Sequence, residues 1–287
     1  MRSKHLARYI FYLFSFLPIA ATQATTVVLI HGLNSDRQTW YQHHSVDALF
    51  ASGWQDATAS LSPPPFHLHK PEPQPTEKHN NSKPTDSSLV KPPKVFFTLN
   101  LPWYEPIETQ AKVLREALDL IYQQRQEPLI LVGHSVGGIV ARFYLLTPYT
   151  VPVQGLITIA SPHLGTPWAD MTWRTLQSPM GDFFDMMGAK KWTQAEILLW
   201  QLSVTPKTNL IHWMNRQPHP QAIHYISIIH RMRANQMKMD FIVPTTSQNM
   251  NNIPALRGRV KVYPIFANHQ LNRQDGEVLA WLLANFK

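Results

Sequence analysis

The 287-residue chain contains no cysteine, which excludes disulfides, a thiol nucleophile and thiolate metal ligands, and leaves an oxidising compartment open to it. It has no dense basic run: part of the formal net charge of +8 comes from Arg2, Lys4 and Arg8, and the other cations are scattered. That pattern argues against nucleic acid as a partner and leaves an anionic membrane or envelope surface as a candidate one. The longest apolar stretch, residues 9–21, falls short of the ~20 residues that a spanning helix needs. No spacing of carboxylates suggests a calcium site, and neither a metal nor another cofactor is expected.

What is present begins with a targeting pattern. A basic start, the apolar stretch and the small residues around Thr22-Gln23-Ala24 read as a leader over residues 1–24, with the folded domain over 25–287. The expectation is a secreted or periplasmic protein, with an uncleaved membrane anchor as the alternative. Thr26-Val27-Val28-Leu29-Ile30 is a continuous apolar run ending at His31-Gly32, as in a strand buried on both faces of a parallel sheet. Similar runs occupy 95–99, 128–132, 153–160, 224–230 and 260–266, with helical spacing after the second and third and again over 272–286. Such alternation predicts a doubly wound, mostly parallel α/β sheet with helices on both faces.

Two segments interrupt the alternation. Residues 62–94 hold most of a dense proline cluster among polar residues and read as a surface insertion with too little apolar surface to pack. Residues 171–214 are rich in Trp, Met and Phe and sit where a sheet fold needs only a short crossing, so they are either an active-site cap or extra helices packed on the core. The adaptable apolar surface of Met and Trp favours a cap, with Trp168, Trp173, Phe183 and Phe184 as candidate substrate-binding residues.

The chemistry centres on Gly133-His134-Ser135-Val136-Gly137, which falls between a strand and a helix. A serine at such a turn is strained, and flanking glycines are needed because no side chain fits where strand and helix converge. Ser135 is therefore the candidate nucleophile. A serine hydroxyl needs a base, and the order in this kind of sheet is serine, acid, histidine. His269 follows the last strand, and Asp240 follows the strand over 224–230; Asp170, Asp185 and Asp275 are the competing carboxylates. Oxyanion donors are expected from the Val136 amide at the helix start and the Leu33 amide after His31-Gly32, with His31 orienting that loop.

With these residues in place the sequence resembles the α/β-hydrolase lipases, in particular the lipase and GPI inositol-deacylase-like (PGAP1-like) group. The matching blocks are His31-Gly32-Leu33, the segment Leu131 through Arg142 around Ser135, Ala160-Ser161-Pro162-His163-Leu164-Gly165-Thr166-Pro167, Asp240-Phe241-Ile242-Val243-Pro244, and His269. The resemblance implies an α/β-hydrolase fold with an inserted helical cap and hydrolysis through an acyl-enzyme, with Ser135, Asp240 and His269 as nucleophile, acid and base. Arg142 and His163, which match the group too, read as structural or cap-positioning. The expected substrate is a lipid or another apolar ester. The alternatives are an acyltransferase or thioesterase using the same residues, or a catalytically silent envelope-binding protein.

Overall fold

A computed structural model of the chain describes residues 26–61, 93–205, 207–231 and 242–286. The expected leader, almost all of the proline-rich stretch and Asp240 lie outside these residues.

The chain order is β1 (Thr26–Ile30), α1 (Thr39–Gln42), α2 (Asp47–Ala51), β2 (Gln55–Asp56), β3 (Val95–Leu99), α3 (Ile107–Arg125), β4 (Leu129–His134), α4 (Val136–Leu146) and β5 (Val153–Ile159). Five helices follow: α5 (Pro167–Leu176), α6 (Pro179–Met186), α7 (Lys190–Gln194), α8 (Glu196–Leu202) and α9 (Leu210–Arg216). Then come β6 (His224–Arg231), α10 (Thr245–Gln248), β7 (Val260–Phe266) and α11 (Arg273–Ala284).

The strands form one sheet in the order β2-β3-β1-β4-β5-β6-β7, with every pairing parallel. Period-2 geometry explains why β1 reads as an unbroken apolar run. Val28 and Ile30 point into one core with Leu114 and Leu118 of α3, while Val27 and Leu29 point into the other with Leu49 of α2 and Leu279 of α11. Burying each of these side chains contributes roughly 1.5–3 kcal/mol. The expected α/β sheet is therefore present, with an edge strand the sequence did not announce: β2 is two exposed polar residues, too short to carry a periodic signal. At the opposite edge, β7 accommodates Pro264.

Residues 171–214 divide into a packed part and an exposed part. Leu198, Leu199, Leu202, Ile211 and Met214 of α8 and α9 are buried in the α3/α4 core. By contrast, Met171, Met180, Met186 and Met187 on α5, α6 and just beyond are exposed. No helix among the described residues is long and apolar enough to cross a membrane.

The topology also fixes where a site can form. From β1 the chain moves to β3 on one side and later returns to β4 on the other, so the carboxyl ends of β1 and β4 flank a switch point, the usual position of a ligand crevice in open α/β sheets.

Candidate active site

Ser135 sits between β4 and α4 with φ 52° and ψ −123°, a backbone region that L-residues rarely occupy. The strain is maintained by close packing on either side. A Cβ on Gly133 would lie 2.3 Å from the Gly138 nitrogen, and one on Gly137 would lie 2.4 Å from the His31 carbonyl oxygen. The Ser135 amide donates to the Ile159 carbonyl at 2.8 Å, which ties the turn to β5. Val136 is the first residue of α4, so its amide has no acceptor within the helix and lies at the positive end of the helix dipole, and the residue lines the crevice.

His269 lies in the loop between β7 and α11, and its Nε2 is 2.9 Å from Ser135 Oγ. The structure thus brings together two side chains 134 positions apart in sequence. Neighbouring histidines frame them. His134 Nε2–H donates to the His269 carbonyl at 2.9 Å, and burial together with His269 holds its pKa well below the ordinary imidazole value. His31 receives the Leu101 amide at Nε2 (2.9 Å) and donates from Nδ1 to the Gly32 carbonyl (2.9 Å), so it fixes the loop after β1 as expected; burial lowers its pKa as well. Gly32 allows that loop to approach, because a Cβ there would meet Ser135 Cβ at 2.9 Å.

The serine, His269, Leu33 and Val136 all line one cavity of about 500 Å³. Trp168 lines it too. Of the other residues expected to contact substrate, Trp173 instead packs against the α3/α4 core, Phe183 is 48% exposed outside the cavity, and the Phe184 side chain lies outside those described. The apolar wall is completed by residues that hydropathy alone did not single out, Trp192, Leu202, Ile242 and Val243. Trp192 is an edge-on neighbour of both Trp103 (5.5 Å) and Trp168 (6.3 Å), so a row of aromatic rings joins the loop after β3 to α7 and α5.

Asp240 lies outside the described residues. The chain re-enters at Ile242, whose carbonyl accepts the Thr166 hydroxyl, and Val243 lines the cavity, so the segment following Asp240 returns beside Ser135 and His269. Two competing carboxylates have other partners. Asp170 accepts the Thr205 hydroxyl at 2.8 Å and the Val204 amide at 3.2 Å, and Asp275 is buried against His230 at 2.8 Å.

The Ser-Pro-His-Leu-Gly-Thr block joins β5 to α5. The Ser247 hydroxyl donates to the Gly165 carbonyl at 2.7 Å, and Thr166 caps α5. Arg142 is fully buried on α4 and donates to Asn215 of α9 at 2.9 Å, while Asn215 donates to the His163 carbonyl at 3.0 Å. Burial lowers the Arg142 pKa to about 9, and burial followed by the Arg142 charge holds His163 well below the imidazole range. Both residues therefore serve the packing of α9 on α4. Among the described residues, no group of three or more His, Cys, Asp or Glu is arranged to hold a metal ion.

A parallel sheet with a strained serine at a strand–helix elbow, at the switch point, defines the α/β-hydrolase fold. Residues 105–250, about half of the chain, match the PGAP1-like alpha/beta domain, and the chain belongs to that family. A GPI inositol-deacylase of Debaryomyces hansenii is 36% identical over 66 residues; the match covers 20% of this chain and 6% of that relative's length. Among solved structures, the mature lipase BlEst2 of Bacillus licheniformis aligns with TM-score 0.56 and 15% identity over 94% of both chains. A Listeria innocua gene product aligns with TM-score 0.54 and 16% identity over 91% of this chain and 94% of its own.

Proposed function

We propose that the chain is a serine carboxylester hydrolase, a lipase or long-chain esterase, that acts through an acyl-enzyme on a lipid or another apolar ester. The observation that carries this reading is the 2.9 Å approach of Ser135 Oγ to His269 Nε2 at a strained elbow facing a cavity with one polar and one apolar wall. In the first half-reaction Ser135 Oγ attacks the ester carbonyl carbon while His269 Nε2 takes the hydroxyl proton. The negative charge moves to the carbonyl oxygen, where the Val136 and Leu33 amides are the donors. Collapse breaks the bond to the alcohol, which leaves with the proton from His269. Water then repeats the sequence on the acyl-serine and releases the acid. Asp240 is assigned as the carboxylate that holds the His269 tautomer, on the strength of its place after β6 and the return of Ile242 and Val243 to the cavity.

The names of the relatives, a lipase and an inositol-deacylase, support a lipid ester. So do Trp168, Trp192 and Leu202 around the serine. The exposed methionines of α5 and α6 support contact with a lipid surface, and the leader pattern supports a location outside the cytosol. The test is hydrolysis of p-nitrophenyl esters of increasing acyl length, together with labelling by a fluorophosphonate probe. Turnover rising with chain length, and labelling lost in Ser135→Ala, are expected. Labelling that survives Ser135→Ala removes the serine assignment, and a rate peaking at short acyl chains removes the lipase reading. Release of an ester of an added alcohol in place of the free acid would assign the chain as an acyltransferase.

A further inference from the structure

His230 closes β6, and its ring is fully buried against Asp275 of α11, neither side chain reaching solvent. Nδ1 faces the Asn268 carbonyl, which only accepts, so this nitrogen carries a proton. Nε2 faces Asp275 Oδ1 at 2.8 Å, and the other carboxylate oxygen accepts the Asn272 amide at 2.9 Å. One proton lies between Nε2 and Asp275 Oδ1, and the ring is locked between a carbonyl on one side and a carboxyl group on the other. The backbone of the same residue is also fixed. Its amide donates to Gln248 Oε1 at 2.7 Å, its carbonyl accepts the Thr245 hydroxyl at 3.3 Å, and Gln248 Nε2 reaches the Val243 carbonyl at 2.9 Å.

We propose that His230 is a positioning residue for His269: locked by Asp275, it pins the Asn268 peptide and so sets the placement of the imidazole over Ser135. The proposal rests on the Ser135–His269 reading above. Two successive carbonyls of this loop are held by histidines, Asn268 by His230 and His269 by His134. Losing the first leaves the loop hinged on the second. An acid at this position of α11 needs only to complete the capping box with Asn272, a role normally filled at the surface; here it is buried and shared with a histidine from a strand 45 positions earlier. Buried ion pairs are poor sources of net stability, so the pair is better explained by the geometry it imposes. Displacements of about 1 Å at a reacting group cost on the order of 100-fold in rate.

The experiment compares the full chain with His230→Gln, His230→Leu and Asp275→Asn in p-nitrophenyl ester hydrolysis, each made also in a His269→Ala background. Expected are a 10- to 100-fold fall in kcat with KM within about twofold, a smaller loss for Gln, which keeps a donor toward Asn268, than for Leu, and less than twofold further loss when His269 is already absent. A merely structural role would cost the same factor in both backgrounds, and that result, or kcat within threefold of wild type, overturns the proposal. If His269→Ala alone leaves turnover intact, the Ser135–His269 reading is what fails, and the proposal falls with it. Independently of activity, the ring ¹⁵N shifts of His230 are expected to show Nδ1 protonated in wild type, as the contact with the Asn268 carbonyl requires. An unprotonated Nδ1 in wild type overturns the proposal even where a variant does not fold.

Discussion

Replacing Gly137 with alanine tests how closely the two sides of the site are packed. Gly137 lies in the first turn of α4, where alanine is intrinsically favoured over glycine by about 1 kcal/mol, so helix propensity alone predicts a more stable protein. The surroundings predict the reverse. The added Cβ would lie 2.4 Å from the His31 oxygen, 2.5 Å from the Ile30 oxygen and 2.9 Å from the Ile30 carbonyl carbon, all backbone atoms that no rotamer change can move. Restoring ordinary contact at 3.4 Å requires α4 and the end of β1 to separate by about 1 Å. Overpacking of this kind costs roughly 1–3 kcal/mol, or on the order of 3–10 °C in Tm for a chain of this size. The same separation draws the Leu33 amide, the proposed oxyanion donor, away from Ser135, and a misplaced donor is expected to cost about 100- to 1,000-fold in kcat/KM. The assay is ester hydrolysis alongside thermal unfolding, with Gly53→Ala as the reference. Gly53 has φ +81° but nothing within 4 Å of an added Cβ, so its substitution is expected to lower Tm slightly and leave kcat/KM unchanged. A folded Gly137→Ala protein with kcat/KM within threefold of wild type would refute the reasoning.

Other perturbations separate strain, charge and cavity. Ser135→Gly, which relieves φ 52°, is expected to unfold a few degrees above Ser135→Ala, both being inactive; equal Tm values would mean that the elbow stores no strain worth measuring. His31, His134, His163 and His219 have folded pKa values below the ordinary 6.5, that of His219 about 4, chiefly through burial. Each binds a proton more readily unfolded than folded, so its stabilisation is present above pH 6.5 and is lost as pH falls toward the folded value. Tm is therefore expected to fall as pH drops below 6.5, at up to ~1.4 kcal/mol per pH unit per histidine; a Tm level down to pH 5 contradicts this. Trp168→Ala should raise KM for long acyl esters several-fold with little change for acetate esters, whereas Phe183→Ala should change neither, and matching profiles for the two would place the acyl group elsewhere. His269→Ala should lower kcat by roughly 10⁴-fold or more, with no recovery by His134 even though its ring centroid is only 5.5 Å away.

The sheet and elbow were legible because their signals are local. A strand buried on both faces must be apolar throughout, and Gly133 and Gly137 have no tolerated substitute where β4, α4 and β1 converge. Chain order carried His269 to the serine. The cap was less readable because hydropathy does not give direction around a helix. Trp168 and Trp173 are five residues apart on α5, about 140° around its axis, so when one lines the cavity the other must face elsewhere, here the core. Trp192 lies on a five-residue helix with no period to detect. Asp275 was legible as a carboxylate near a helix start, but its pairing with His230 was not, because a buried contact 45 positions away leaves no pattern in spacing.

The histidines around Ser135 differ in their partners in a way that fits the proposed choice of one of them as the base. His31 has both ring nitrogens engaged by backbone groups, and His230 has one on a carbonyl and one on a carboxylate. His134 uses its Nε2 proton to hold the His269 carbonyl, and burial keeps it neutral. These three therefore act as rigid polar crosslinks between β1, β4, β6 and the loop after β7, in places where a hydrophobic side chain could pack but could not fix a carbonyl in space. His269 is different in kind. It is half-exposed, it lines the cavity, and its Nε2 is directed at Ser135 Oγ. Under the proposed role of His269 as base, the distinction between base and crosslink follows from which acceptors surround each ring, and the crosslinks would give that base a fixed geometry without competing for the serine proton.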